Sequence, residues 1–278
     1  MITLNLQGLP VQLRTFHDLS FVESYGRVLR VFDQLNSGLL CFQIQQGDKR
    51  CFLKYAGAPM LKSMESPEQS MQRLRLAAPR YETLRPPTLA AFRGARDYGS
   101  GFACLFDWIE GLPLAPLKEN AQHLQAAPLM DRLKMMDALV DLHVAAESQG
   151  LVACGLQDTQ LIYQPQGAGL MLAHIDDYPL MPAINLRGRQ PGSPFYLAPE
   201  AYQMGAALDE TTTVYAMGAL AHRLFGDWIG QKKESWEASP HLYEVAAHAL
   251  LKDRDLRFQS TLSFQEAWRE AVKLSPLY

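Results

Sequence analysis

Residues 192–200 read GSPFYLAPE. A polar, glycine-bearing loop runs into a short apolar stretch and closes on Ala198-Pro199-Glu200, so a carboxylate follows side chains expected to be buried. A charge carried out of water needs a hydrogen-bonded partner of opposite sign.

With 278 residues, 48% of them hydrophobic, the chain is long enough to bury a full core as one two-lobed domain or two small ones. Lys and Arg number 26 against 29 Asp and Glu, a net charge of -3 with no basic run, which argues against a nucleic-acid or anionic-membrane partner. The start, MITLNLQGLPVQL, lacks a basic region followed by an apolar core, and no stretch reaches the roughly 18 apolar residues of a membrane span. A cytoplasmic location is expected. Cys41, Cys51, Cys104 and Cys154 are isolated in apolar surroundings, so reduced core thiols are expected rather than a zinc site or disulfides.

From Ile2 to about Trp108, short β-rich runs recur: ITLNL, RVLRVF, LLCFQIQ, RCFLKYA, LAAFRGA and FACLFDWI, joined by turns such as QQGDK and DYGS. They predict an antiparallel sheet. One helix interrupts it, with Ser66 as N-cap, Pro67 in the first turn and Gln69 completing a capping box. Pro79 is expected to kink or break that helix.

After IEGLPLAPL the period lengthens to that of helices. Leu129, Leu133, Met136, Leu139, Val140 and His143 share one face, with Gly150 as a C-terminal cap. TTTVYAMGALAHRLFG is apolar nearly all round and predicts a buried central helix; PHLYEVAAHALLK and SFQEAWREAVKL predict two more. Two short strands, QLIYQ and LMLAHID, are joined by PQGAG, and residues 178–193 are the least regular stretch.

A small β-rich lobe with one helix (1–108) followed by a mainly helical lobe (109–278) is an α+β, bilobal arrangement that resembles the protein kinase fold. The resemblance runs from about Phe21 to Trp268 and rests on CFLK ending at Lys54, LFDWIEG at 105–111, IDDY at 175–178, LAPE at 197–200, VYAMG at 214–218 and DRDLRFQS at 253–260, in the family's order. It implies roles for particular residues. Lys54 corresponds to the strand lysine that binds ATP phosphates, where a lone strand-end lysine would otherwise be read as solvated. Phe106 corresponds to the gatekeeper, and the backbones of Asp107 and Ile109 to the adenine-binding hinge. Asp176 corresponds to the Mg²⁺-binding Asp of the Asp-Phe-Gly motif, with Asp177 and Tyr178 at the Phe and Gly positions; the adjacent aspartates also fit a plain turn. Glu200 is expected to pair with Arg257.

Departures from the family pattern bear on activity. The loop that should be glycine-rich reads DQLNSG, with Gly38 its only glycine. Counting back from Gln160, which stands at the second, Asn metal position, His-Arg-Asp becomes Ala153-Cys154-Gly155. The helix glutamate falls on Ala77, with Glu65 and Glu68 near the helix start as substitutes only if the helix shifts. The aspartate of the central helix that braces the catalytic loop reads Thr213, consistent with a loop that no longer needs bracing. Asp158 is a substitute base or a turn aspartate capping its own loop, and His174 is expected to be a packed strand histidine rather than a catalytic one.

The leading expectation is a pseudokinase, or strongly divergent serine/threonine kinase, that binds ATP and Mg²⁺ between its lobes and acts on a protein partner as scaffold or switch. The alternatives are an active nucleotide-dependent transferase using Asp158, on a protein or small-molecule substrate, and an interaction module that binds no nucleotide.

Overall fold

The computed structural model describes residues 1–115, 118–167, 169–227 and 230–275. The chain divides into two compact units, Met1–Ile109 and Glu110–Tyr278. The first is built on an antiparallel sheet and the second mainly on helices, so the protein is of mixed α+β class.

The first unit opens with a hairpin of β1 (Ile2–Leu6) and β2 (Leu9–Leu13). Gln7 and Gly8 both have positive φ, 52° and 86°, as a two-residue hairpin turn requires, and Asn5 Oδ1 accepts from the Gly8 N–H at 2.7 Å. The run ITLNL was expected in the main sheet; instead this turn folds the chain back, and β1 and β2 form a separate two-stranded sheet. The main sheet holds β3 (Arg27–Phe32), β4 (Leu39–Gln46), β5 (Lys49–Ala56), β6 (Phe92–Asp97) and β7 (Phe102–Asp107), all antiparallel, in the order β3-β4-β5-β7-β6. Val11 and Leu13 of the hairpin close over Leu40, Phe42, Ile44 and Leu53 of the sheet, forming one buried cluster.

Between β5 and β6 runs α1 (Pro67–Thr83), and its capping box is complete: Ser66 Oγ accepts from the Gln69 N–H at 3.2 Å and Gln69 Oε1 from the Ser66 N–H at 2.9 Å. Helix α1 continues through Pro79, so the break among the two expected outcomes, a kink or a break, does not occur. Beyond it, the Tyr81 ring lies 5.8 Å from Phe92 and 4.8 Å from Phe106, and this packing on the sheet holds the last turn against the missing N–H.

The second unit begins with β8 (Leu112–Pro113), followed by α2 (Lys118–Gln125) and α3 (Leu129–Ser148), which Gly150 closes at φ 74°. Strands β9 (Leu161–Gln164) and β10 (Gly169–Leu172) form the expected ribbon, but β8 joins it as a third strand through Leu112 and Tyr163. A minimal ladder of β11 (Ala183–Ile184) and β12 (Ala207–Leu208) crosses the irregular stretch. Helix α4 (Glu210–Phe225) is buried along nearly its whole length, as its all-round apolarity predicts, and α5 (Pro240–Ala249) and α6 (Thr261–Leu274) pack around it. The contact with α5 is close: a Cβ on Gly218 would lie 2.8 Å from the Ala249 Cβ. All four cysteines are buried and unpaired in disulfides. Among the described residues no helix is long and apolar enough to cross a membrane.

Candidate functional site

In the first unit, Lys54 lies on the central strand β5, opposite Cys41 of β4 and Cys104 of β7, and only 2% of it is exposed. Its Nζ sits 4.7 Å from the Phe106 ring centroid and 5.5 Å from that of Tyr81, so two aromatic faces receive the ammonium. It is therefore not a solvated strand-end lysine. Phe106 is itself buried, packed against Tyr81 and Phe92.

Asp107 spends its carboxylate on Arg93, whose Nε donates to Oδ1 at 2.7 Å, and its N–H on the Ala91 carbonyl at 2.8 Å. The Trp108 N–H goes to Arg50 O at 3.1 Å. Ile109 closes the unit.

Ala77 is buried on α1. Glu65 accepts from Arg73 at 3.1 Å and 3.3 Å, and Arg73 also donates to Ser37 O. The loop that stands where phosphate cover is expected is thus tied to α1 through Arg73. Gly38 lies against the same region: at φ 71°, a Cβ there would lie 3.1 Å from Ser63 Oγ. Glu68 is exposed in the first turn.

In the second unit, Ala153, Cys154 and Gly155 are all buried. Burial, with the charges of Glu200 and Asp177, pushes the Cys154 thiol up to about 12, which removes it as a nucleophile near neutral pH. Thr213 corrects one expectation. The brace on this loop is kept, because the Ala153 N–H donates to Thr213 Oγ1 at 2.9 Å in a buried contact. A threonine hydroxyl has the acceptor lone pairs to replace a carboxylate at this position.

Gly155 has φ 102°. The 191–193 backbone rests directly on it: a Cβ at Gly155 would lie 3.2 Å from Pro191 O, and one at Gly192 would lie 2.7 Å from the Gly155 Cα. The Ser193 N–H donates to Leu156 O at 3.1 Å and fastens the contact.

Asp158 is neither isolated nor merely a turn residue. Arg223 of α4 grips it with Nε to Oδ1 at 3.1 Å and Nη2 to Oδ2 at 3.0 Å, and the Tyr196 hydroxyl donates to Oδ1 at 2.5 Å. The guanidinium in turn stacks 3.5 Å from the Phe195 ring centroid. Burial, reinforced by the Asp158 charge, drives the Tyr196 hydroxyl well above the ordinary tyrosine value, so it stays a donor. Sequence reading missed both Arg223 and Tyr196. The available signal was an arginine inside the otherwise apolar run GALAHRLFG, since a cation there needs an anion.

Asp176 is 3% exposed, with Oδ2 3.7 Å from His174 Nδ1. Gln160 Nε2 lies 3.4 Å from that same nitrogen and 3.5 Å from Gly155 O, while its Oε1 accepts from the Gln157 N–H at 3.3 Å. Gln160, His174 and Asp176 are therefore brought together, and Asp158 is turned to Arg223. Among the described residues no three His, Cys, Asp and Glu side chains group to hold a metal ion alone. Mg²⁺ on a nucleotide needs only one or two carboxylates, because phosphate and water supply the other oxygens, and Asp176 fits that need.

Tyr178, two residues on, is buried and its hydroxyl lies 2.8 Å from Nε2 of buried His143. His143 Nδ1 lies 2.7 Å from Leu139 O. Farther along the chain, Glu200 receives Arg257 Nη1 at 2.7 Å on Oε1 and Nη2 at 3.0 Å on Oε2, with the Thr212 hydroxyl at 3.0 Å. Arg257 spends its remaining donors on the carbonyls of Thr211, Leu251 and Lys252. The charge after GSPFYLAP is thus held by a fully hydrogen-bonded guanidinium.

The sequence matches no known protein-family model, and none of the curated proteins is significantly similar to it.

Proposed function

We propose that the chain is a protein-kinase-like pseudokinase. It binds ATP through Lys54 and the backbone of Asp107 and Ile109, with Mg²⁺ on Asp176, and serves a protein partner as scaffold or switch without transferring phosphate.

The observation that carries this reading is the state of the aligned base position: Gly155 has a backbone conformation that side chains disfavour, and the 191–193 backbone packs on it. The nearest substitute, Asp158, already accepts three hydrogen bonds from Arg223 and Tyr196, and proton abstraction would compete with all of them. Phosphoryl transfer depends on positioning and charge stabilisation more than on a base. Here, however, base, second metal ligand and lysine clamp are altered at once, and deficits of about 1.4 kcal/mol each multiply tenfold apiece in rate.

Retention of Lys54 and Asp176 supports nucleotide binding. Both residues that the resemblance assigns to the phosphates and the metal are kept, and both are buried. The same fact favours a second reading, a slow transferase that relies on metal and positioning alone.

If Mg·ATP raises the melting temperature of the wild type, and Lys54→Ala and Asp176→Asn each diminish the rise, the nucleotide reading stands. No rise with the wild type favours the interaction module. Transfer of label from γ- or α-labelled ATP above background would replace the pseudokinase reading with the transferase.

A further inference from the structure

We propose that Tyr178 is a positioning residue for Asp176, fixing the metal-binding turn to α3 through His143. The inference rests on the nucleotide reading above and concerns how its metal ligand is held. The hydrogen-bond chemistry defines the contact. A carbonyl only accepts, so the 2.7 Å contact to Leu139 O places the proton of His143 on Nδ1. Nε2 is then an acceptor, and the Tyr178 hydroxyl donates to it at 2.8 Å. Both side chains are about 1% exposed, so water cannot replace either partner.

The turn carrying Asp176 is closed by the Tyr178 N–H on Ile175 O at 3.1 Å. After it, the Val152 N–H donates to Pro179 O at 3.0 Å and the Met181 N–H to Gly150 O at 2.8 Å. The backbone bonds align the segment along 150–152, and the tyrosine hydroxyl links this turn to helix α3. Glycine at this position could make no such link. Its replacement by tyrosine anchors the turn, so the Asp176 carboxylate needs no rearrangement when a cation arrives.

The test titrates the full chain with ATP, once with Mg²⁺ and once with EDTA, in the wild type, Tyr178→Phe, and Gln265→Ala. The last loses a 2.5 Å bond to Asp141 elsewhere in the unit and serves as a destabilised control. Tyr178→Phe is expected to weaken Mg·ATP binding about tenfold, as loss of a support behind a metal ligand does, while metal-free ATP binding is unchanged. Hydrogen exchange at the Tyr178 and Met181 amides is expected to quicken. Gln265→Ala is expected to keep the wild-type metal dependence. His143→Leu reads the same contact from its other partner where Tyr178→Phe does not fold. Equal weakening with and without metal, or unchanged metal dependence, overturns the positioning role. A wild type that binds no ATP under either condition overturns the nucleotide reading itself, and the inference with it.

Discussion

Asp158 and Arg223, 65 residues apart, form a two-pronged ion pair that joins the loop after α3 to the central helix α4. Both side chains are largely withdrawn from water, so the pair is a constraint that neither partner can leave cheaply. Arg223→Ala strands the Asp158 carboxylate and removes the cation from the Phe195 face. Destabilisation of about 3 kcal/mol is expected in urea denaturation. Asp158→Asn, which keeps hydrogen-bonding capacity, should cost less, and the double variant should cost less than the sum of the two.

Glu200 and Arg257 provide a second measurement, through pH. Burial alone would push the Glu200 carboxyl up, but the Arg257 fork, a backbone N–H and the Thr212 hydroxyl outweigh it and hold the group below its ordinary 4.5. A depressed carboxyl contributes stability that is complete above pH 4.5 and is lost as pH falls through the folded-state value. Arg257→Ala should lower stability by about 3–5 kcal/mol near neutrality and flatten the acid limb of the stability curve. An unaltered acid limb would show that other carboxylates govern it.

Two histidines act over a different range. Burial lowers both His143 and His222 from 6.5 to about 4. Between those values the unfolded chain carries a proton that each folded histidine lacks, so acidification favours unfolding, and above pH 6.5 the dependence vanishes. Each contributes a slope of at most about 1.4 kcal/mol per pH unit in that window. His222→Gln should remove its share, measurable as a shallower loss of melting temperature between pH 6.5 and 4.5. His222 is the cleaner choice, because it packs on Trp236 and Tyr243, whereas His143 bonds to Tyr178.

Gly155→Asp tests whether an acid at that position confers transfer. The positive φ and the 3.2 Å approach of Pro191 O predict about 1–3 kcal/mol of destabilisation and no gain in γ-phosphate transfer. A variant that folds normally and phosphorylates would overturn the view that the backbone itself closes this position.

Much of the secondary structure is legible because its signals are local. The Ser66–Gln69 box marks the start of α1, period-2 runs mark the strands of the main sheet, and the apolar circumference of α4 predicts its burial. Elements whose identity depends on distant partners are not. β8 is two residues long and contains Pro113, and only Tyr163 and Ile162 make it a strand. β2 has Pro10 in it and is legible only once the Gln7-Gly8 turn is recognised. α2, KENAQHLQ, carries too few apolar residues for its period to show.

The candidate site divides in the same way. Arg257 can be assigned to Glu200 only through a motif resemblance, since nothing local links residues 57 apart. Thr213 reads as a lost aspartate in sequence, because spacing does not reveal that a hydroxyl reaches the same N–H.

The close approach of Gly155 and Gly192 constrains the order in which substitutions can accumulate. A side chain at 192 would collide with backbone, which cannot swing aside as a flexible side chain can, and one at 155 must push the Pro191 carbonyl away. A side chain at 192 therefore requires the 191–193 segment to take another path, whereas one at 155 asks the Pro191 carbonyl to give by a few tenths of an ångström. That segment is fastened by the Ser193 N–H on Leu156 O. An acid acquired at 155 alone thus carries the backbone strain of φ 102° until the Pro191 carbonyl shifts with it.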